Sequence, residues 1–220
     1  LAVCLNAWCF DGARYVLPGL ELHEHTIETN EPLEGQLFAG IAQTLTERRD
    51  AKRSSMTERV ALTAALVNSH KRPCIVWCHL NDESKALAAS IPDAVEVTGS
   101  MTADEKEAAI MAFTHGKVRV IVTKPSIAGF GMNWQHCADM VFAGLDDSFE
   151  SFYQAIRRCY RFGQSRVVNV HLVSSEAEGA VKANLERKQA QANDMAESMV
   201  QHMRELTARQ IKGITMEKSE

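Results

Sequence analysis

Arg157, Arg158 and Arg161 fall within one short stretch, QAIRRCYRFGQ at residues 154–164, and a guanidinium that keeps its charge at every physiological pH suits phosphate. Helical periodicity predicts a helix over about 149–160, on which Arg158 and Arg161, three apart, share a face and can converge on one phosphate. A planar, permanent charge complements the equatorial oxygens of a phosphoryl group in transfer. Arg157 then faces elsewhere, as an ordinary surface charge. Upstream, Gly129 and Gly131 supply a tight turn where the backbone can come close to a bound group.

Phosphoryl transfer from a nucleotide needs two further parts, a backbone cradle for the phosphates and a carboxylate that holds magnesium. A cradle would read GxxxxGK[ST], and the nearest match, Gly35 to Gly40, runs on into Ile41 and Ala42. A carboxylate box is suggested by Asn81-Asp82-Glu83-Ser84 after an apolar run. Without a cradle before it, the run reads better as a helix start, with Asn81 or Asp82 as cap and Glu83 in the first turn. The expectation is half of an active site, unable to hydrolyse ATP alone.

The chain has 220 residues, 45% of them hydrophobic, enough for one buried core and some appended helix. Its net charge of -4 rules out a global basic field, so any nucleic-acid contact must be local. No apolar run approaches the roughly 20 residues that cross a bilayer, and the start lacks a signal-peptide pattern. A cytoplasmic or nucleoid-associated protein is expected. The six cysteines, Cys4, Cys9, Cys74, Cys78, Cys137 and Cys159, form no CxxC pair and read as reduced core residues. A zinc site of Cys4, Cys9, His23 and His25 matches no common finger spacing, and no metal is expected.

The elements that must position these residues alternate. A turn at Leu17-Pro18-Gly19 leads into a predicted strand through Leu20, Leu22 and His23 to Ile27, and helical spacing covers about 36–50 and 57–67. Strands are predicted from Cys74, Ala94, Val118, Asp139 and Val167, with helices at about 82–90, 103–113 and 149–160 between them. Thr102 caps the second of these with Glu105 as capping-box partner. Such alternation implies an α/β fold, a parallel sheet with helices on both faces, whose ligand sites and informative motifs are expected at the carboxyl ends of the strands. The proline-free stretch 176–212 reads as a long helix, with Met195, Met199 and Met203 as a packing seam. The division expected is a lead-in at 1–70, a core at 71–175 and a helical extension at 176–220. Because Leu1 is not a methionine and opens in mid-pattern, the chain reads as part of a longer protein.

From about residue 71 to 173 the order of motifs resembles the C-terminal RecA-like lobe of superfamily 2 helicases, and most closely the Swi/Snf-type branch of DNA translocases. CIVWCHLNDES resembles motif IV. VTKPSIAGFGMNWQHCADMVF resembles motif V, with Gly129, Gly131 and Asn133 on a Gly-x-Gly-Leu-Asn pattern and Met132 in place of the leucine. QAIRRCYRFGQ resembles motif VI, with Gln154, Ala155, Arg158, Arg161, Gly163 and Gln164 at the family's offsets. The resemblance implies a RecA-like three-layer fold with Arg161 as arginine finger and Arg158 as its phosphate-binding partner. Gly129, Gly131, Asn133 and Gln154 would lie by the nucleotide. His79, Thr98, Gly99, Thr123, Lys124 and Ser126 would hold the phosphates of DNA, double-stranded by analogy, without reading bases. Pro125 departs from the usual motif. The implied partner is an N-terminal lobe of the same protein carrying cradle and carboxylate box, which would hold most of the ATP and Mg2+.

A degenerate RecA-like module that only binds partners or nucleic acid is the competing reading, disfavoured by the intact Arg158 and Arg161. A free-standing doubly wound enzyme would need a GxGxxG turn after an early strand, and the chain has none.

Overall fold

The computed structural model describes residues 17–27, 53–128, 132–144 and 148–175, and in a separate unit residues 187, 188, 190, 191, 194 and 195. The first unit is built from β1 (Leu20–Ile27), α1 (Met56–Asn68), β2 (Cys74–Trp77), α2 (Asn81–Ser90), β3 (Ala94–Val97) and α3 (Ala103–Thr114). It continues through β4 (Val120–Thr123), α4 (Pro125–Ala128), β5 (Asp139–Phe142), α5 (Phe149–Ile156) and β6 (Val168–Ser175). The six strands form one sheet in the order β1-β6-β5-β2-β4-β3. Every pairing is parallel. The result is an all-parallel α/β sheet, as the RecA-like resemblance implies.

The central strands are short and buried along their whole length, as parallel strands covered on both faces must be. Alternation divides their side chains between two cores. Cys74, Val76, Val120, Val122, Val141 and Val173 pack with Val60, Ala64 and Val67 of α1 and Leu87 of α2. On the other face Trp77 meets Trp134 and Phe142, Phe113 of α3 stands edge-on to Trp134, and Phe142 meets Phe152 of α5. Helices therefore cover both sides of the sheet.

Local chemistry sets the helix starts. At α3 the Thr102 amide donates to Glu105 Oε2 at 2.8 Å and the Glu105 amide to Thr102 Oγ1 at 3.3 Å, the expected capping box. At α2 the cap is Leu80 rather than Asn81 or Asp82, and the exposed amides are taken by Glu83, which accepts from the backbone of His79 and Leu80. Glu83 is 1% exposed and pairs at 2.7 Å with Arg59 of α1, equally enclosed. Pro125, out of place against the motif, is the first residue of α4, where its missing N–H and fixed φ suit a helix start.

At the amino end of the sheet Arg72 makes a bidentate bond to the buried Asp139, at 2.7 and 2.8 Å, and Asn169 donates to the same carboxylate at 3.2 Å. Beside them His23 and His25 of β1 stack on His171 of β6, and His25 Nε2 lies 3.0 Å from His171 Nδ1. Burial, then the charges of His23 and His25, push His171 down to about 4. Burial, then His23, lowers His25 as well. A histidine kept neutral in the fold but free to protonate in the unfolded chain costs stability as pH falls. Stability is therefore expected to be whole above a pH of about 6.5, the unfolded value, and to decline toward about 4. Urea unfolding across that window checks the slope, which His171→Gln should reduce.

Several expectations fall outside the described residues: the helix at 36–50, Cys4 and Cys9, and most of the 176–220 extension. In the separate unit Arg187 donates to Gln191 Oε1 at 3.2 Å, one helical turn on, and Met195 is exposed. Met199 and Met203 lie outside. Among the described residues no helix is long and apolar enough to cross a membrane, and no cluster of His, Cys, Asp and Glu is arranged to hold a metal ion. Cys74, Cys78, Cys137 and Cys159 are buried free thiols. Burial pushes Cys78 up to about 12, so it stays protonated.

Candidate functional site

The candidate residues lie in two groups, and the fold puts them at opposite ends of the strands. The first group follows β2, β4 and β3, which are neighbours in the sheet, so their carboxyl-end loops adjoin. Lys124 Nζ, just past β4, donates to Asn81 Oδ1 at 2.7 Å, tying that loop to the start of α2. Its carbonyl accepts from Ile127 and Ala128, closing α4 and leaving Ser126 exposed. Thr98 Oγ1 lies 3.0 Å from Ser100 Oγ, and the Gly99 carbonyl accepts from Lys106 Nζ at 2.9 Å. His79 and Thr98 are half-buried and Gly99 is exposed.

Thr123 does not join that surface. It is fully buried and its hydroxyl donates to the Val97 carbonyl at 3.1 Å, bracing β4 against β3. A strand's last residue reads from sequence as a loop residue, but here the sheet pairing with Val97 still encloses it.

The second group is not at the carboxyl ends, where all the motifs are expected. The crossover helix α5 leaves β5 at its carboxyl end and must run back along the sheet before β6 can start parallel to it. Whatever follows α5 is thereby delivered to the amino side. The helix also stops sooner than its periodicity suggests, at Ile156. Beyond it the amides of Arg158, Cys159 and Arg161 bond to carbonyls two or three residues back in successive tight turns. Arg158 and Arg161 thus share no helical face.

They are nevertheless close in charge. Burial, then the guanidiniums of Arg161 and Arg157, lowers Arg158 below the ordinary arginine value. Arg158 is 7% exposed, its Nη1 and Nη2 at 3.5 Å from the Met132 carbonyl and Gln154 Oε1. Arg157 turns away, its guanidinium over the Tyr153 ring and bonded to the Tyr153 hydroxyl at 3.2 Å. Like charges brought together in this way are relieved by an anion such as a phosphate.

Backbone contacts seat the arginines against the second half of the glycine-rich segment. The Trp134 amide donates to the Arg158 carbonyl at 2.9 Å, and Trp134 Nε1 to Thr114 Oγ1 at the end of α3. Asn133 is exposed beside them. Gly129 and Gly131 lie outside the described residues. Sequence reasoning named Gln164 but missed its work. Its amide donates to the carbonyls of Gln135 at 3.0 Å, Cys137 at 2.9 Å and Cys159 at 3.3 Å, while Oε1 accepts from the amides of Ser165 and Arg166. One buried side chain thus joins 135–137 to 159–166. The available signal was a glutamine at a turn followed by no helix, which has amide groups to spare for loop backbone.

Also missed was the Arg59–Glu83 pair. Arg59 sits four residues before Thr63 and eight before Val67, both on the buried side of α1, so a charge on that stripe was visible. Its partner was not.

Known proteins share this fold. Residues 58–163 match the family model for the helicase conserved C-terminal domain. Over 119 residues the chain is 29% identical to the TATA-binding protein-associated factor mot1 of Schizosaccharomyces pombe, a match covering 50% of this chain and 6% of that protein. Among solved structures, the C-terminal part of the Fun30 ATPase domain superposes with a TM-score of 0.51 at 16% identity, covering 69% of this chain and 54% of the other. The C-terminal domain of the DEAD-box protein Dbp5 gives 0.52 at 14%, covering 60% and 78%. A DEAD-box protein from Methanococcus jannaschii gives 0.52 at 20%, covering 60% and 37%. At these identities the structures share the fold.

Proposed function

We propose that the chain, whose residues 58–163 match the model for the helicase conserved C-terminal domain, is the second motor lobe of an ATP-dependent DNA translocase or helicase. The observation that carries this reading is the seating of Arg158 and Arg161. Both lie on the backbone that Gln164 joins to the Met132–Cys137 segment, with charge crowded for a phosphate. In this reading an N-terminal RecA-like lobe of the same protein binds ATP and Mg2+. Arg161 offsets the charge that develops on the terminal phosphoryl group, as an arginine finger, and Arg158 holds the neighbouring phosphate oxygens. Asn133 and Gln154, with Gly129 and Gly131, border the nucleotide. The motifs of the lobe lie in 71–175, and β1 and α1 from the expected lead-in pack with them in one unit.

The carboxyl-end group takes the nucleic-acid role. Lys124, Ser126, His79, Thr98 and the Gly99 backbone offer one ammonium, hydroxyls, an imidazole and amides, which suit duplex phosphates and not base edges. Binding on that pattern is strongly salt-dependent and weakly sequence-dependent.

The direct test is ATP hydrolysis by the full-length protein with and without duplex DNA. Stimulation by duplex supports the motor, and ATP turnover that is absent under every nucleic acid supports the non-catalytic module instead. Lys124→Ala should weaken duplex binding evenly across sequences and lower the slope of log affinity against log salt by about one. Fluorescence anisotropy at several salt concentrations reads it. An unchanged slope removes Lys124 from the track.

A further inference from the structure

Arg161 opens a tight turn whose geometry depends on a side chain outside the motif. The Gln164 amide donates to the Arg161 carbonyl at 3.0 Å, so Arg161, Phe162, Gly163 and Gln164 are the four residues of a β-turn. Gly163, third in that turn, has φ of +94°, the conformation that defines turns with glycine at this place. In such turns the central peptide is flipped relative to the common type, and its carbonyl is that of the second residue, Phe162.

Gln135 holds that carbonyl. Its Nε2 donates to the Phe162 oxygen in a short contact. A Cβ on Gly163 would stand 2.9 Å from Gln135 Oε1 and 3.0 Å from Nε2, so the glutamine amide lies directly over the glycine. Gln135 is itself anchored: its carbonyl accepts from Gln164 Nε2 at 3.0 Å. It also stands inside a turn closed by the Cys137 amide on the Trp134 carbonyl at 2.9 Å. Trp134 is fully buried and bonded to Thr114. The clamp runs from the core through Gln135 to the peptide that follows Arg161.

We infer that Gln135 is a positioning residue for Arg161, setting the direction of its guanidinium by fixing the flipped Phe162–Gly163 peptide. The inference rests on the reading of Arg161 as the group that meets the nucleotide. A donor is required of Gln135, because a carbonyl is what it meets. Glutamate has the same size and offers only acceptors at neutral pH, whereas lysine reaches as far and donates. A packing role would tolerate Gln135→Glu and suffer from Gln135→Lys. A positioning role predicts the reverse.

In the full-length protein, Gln135→Glu should lower kcat for duplex-stimulated ATP hydrolysis by about tenfold with KM for ATP within about twofold, the signature of a misplaced group acting on the transition state. Gln135→Lys should keep most of the rate, and the melting temperature of both variants should match the parent. Hydrogen–deuterium exchange, which needs no activity, should show faster exchange across 157–166 in Gln135→Glu alone. Unchanged exchange in Gln135→Glu, or equal loss of rate in both variants, overturns the inference. Arg161→Ala measured alongside separates the two ideas. If exchange rises but kcat holds, an inactive Arg161→Ala condemns the role given to Gln135, and an active one condemns the role given to Arg161.

Discussion

Arg161→Ala in the full-length protein should reduce duplex-stimulated ATP hydrolysis by about a thousandfold or more, the usual worth of an arginine finger, while leaving duplex affinity nearly unchanged. The two halves of that outcome follow from the fold. Arg161 lies after α5, on the amino side of the sheet, whereas Lys124 and Ser126 follow β4 at the opposite ends of the strands. Losing one guanidinium therefore leaves the proposed nucleic-acid surface intact. Arg161 is half-exposed, so its removal opens no cavity in the core. Arg158→Ala should be less selective. That side chain is 7% exposed and reaches Met132 and Gln154, so its loss should affect rate, apparent ATP affinity and local order together. Single-turnover hydrolysis and equilibrium DNA binding on the same preparations make the comparison. An Arg161→Ala protein that turns over ATP at the parent rate would take Arg161 out of the finger role.

The largest stability effect is expected at a place with no part in the chemistry. Arg59 and Glu83 are each 1% exposed and 2.7 Å apart, joining α1 to α2 beneath the loop that carries His79. Removing one member of such a buried pair strands the other charge, at a cost of about 3–5 kcal/mol. Arg59→Met should therefore lower the free energy of unfolding by that order, read as a shift in the denaturant midpoint with unchanged slope. Glu83→Leu should cost at least as much, since the carboxylate also accepts from the His79 and Leu80 amides and closes the start of α2. The double variant should cost less than the sum of the two single changes, because neither member of the pair is then left charged opposite an apolar group. Additive losses would show instead that the pair contributes little through its mutual attraction. Gly144 adds a packing test of the same region: a Cβ there would meet Arg59 Nη1 at 3.2 Å, so Gly144→Ala must displace the guanidinium.

Much of the fold could be read from local pattern. The alternation from Leu20 to Ile27, the apolar run from Cys74, and the segments starting at Ala94 and Asp139 are strands in the structure at those residues. The capping box at Thr102 and Glu105 starts α3 as its spacing implies. These are short-range matters, decided by which side chain can reach which amide and by the period of burial. The end of α5 was not legible in the same way. Residues 157–160 keep helical propensity and spacing, yet the chain leaves the helix at Ile156 to bring Trp134 and Gln164 into contact with backbone. Tertiary bonds outweigh propensities worth only tenths of a kcal/mol per residue.

What the residues decided by themselves is the chemistry on offer: permanent cations spaced as in a phosphate-handling motif, the glycine turn before them, and a parallel sheet to carry both. What only the tertiary structure decided is where that chemistry stands. The need of a parallel crossover to return to the amino edge put Arg158 and Arg161 away from Lys124, and the pairing of β3 with β4 enclosed Thr123. The bonds made by Gln164 and Gln135 replaced the shared helical face with a braced turn. Each of these depends on residues tens of positions apart meeting in space, and a periodic pattern along the chain carries no record of such meetings.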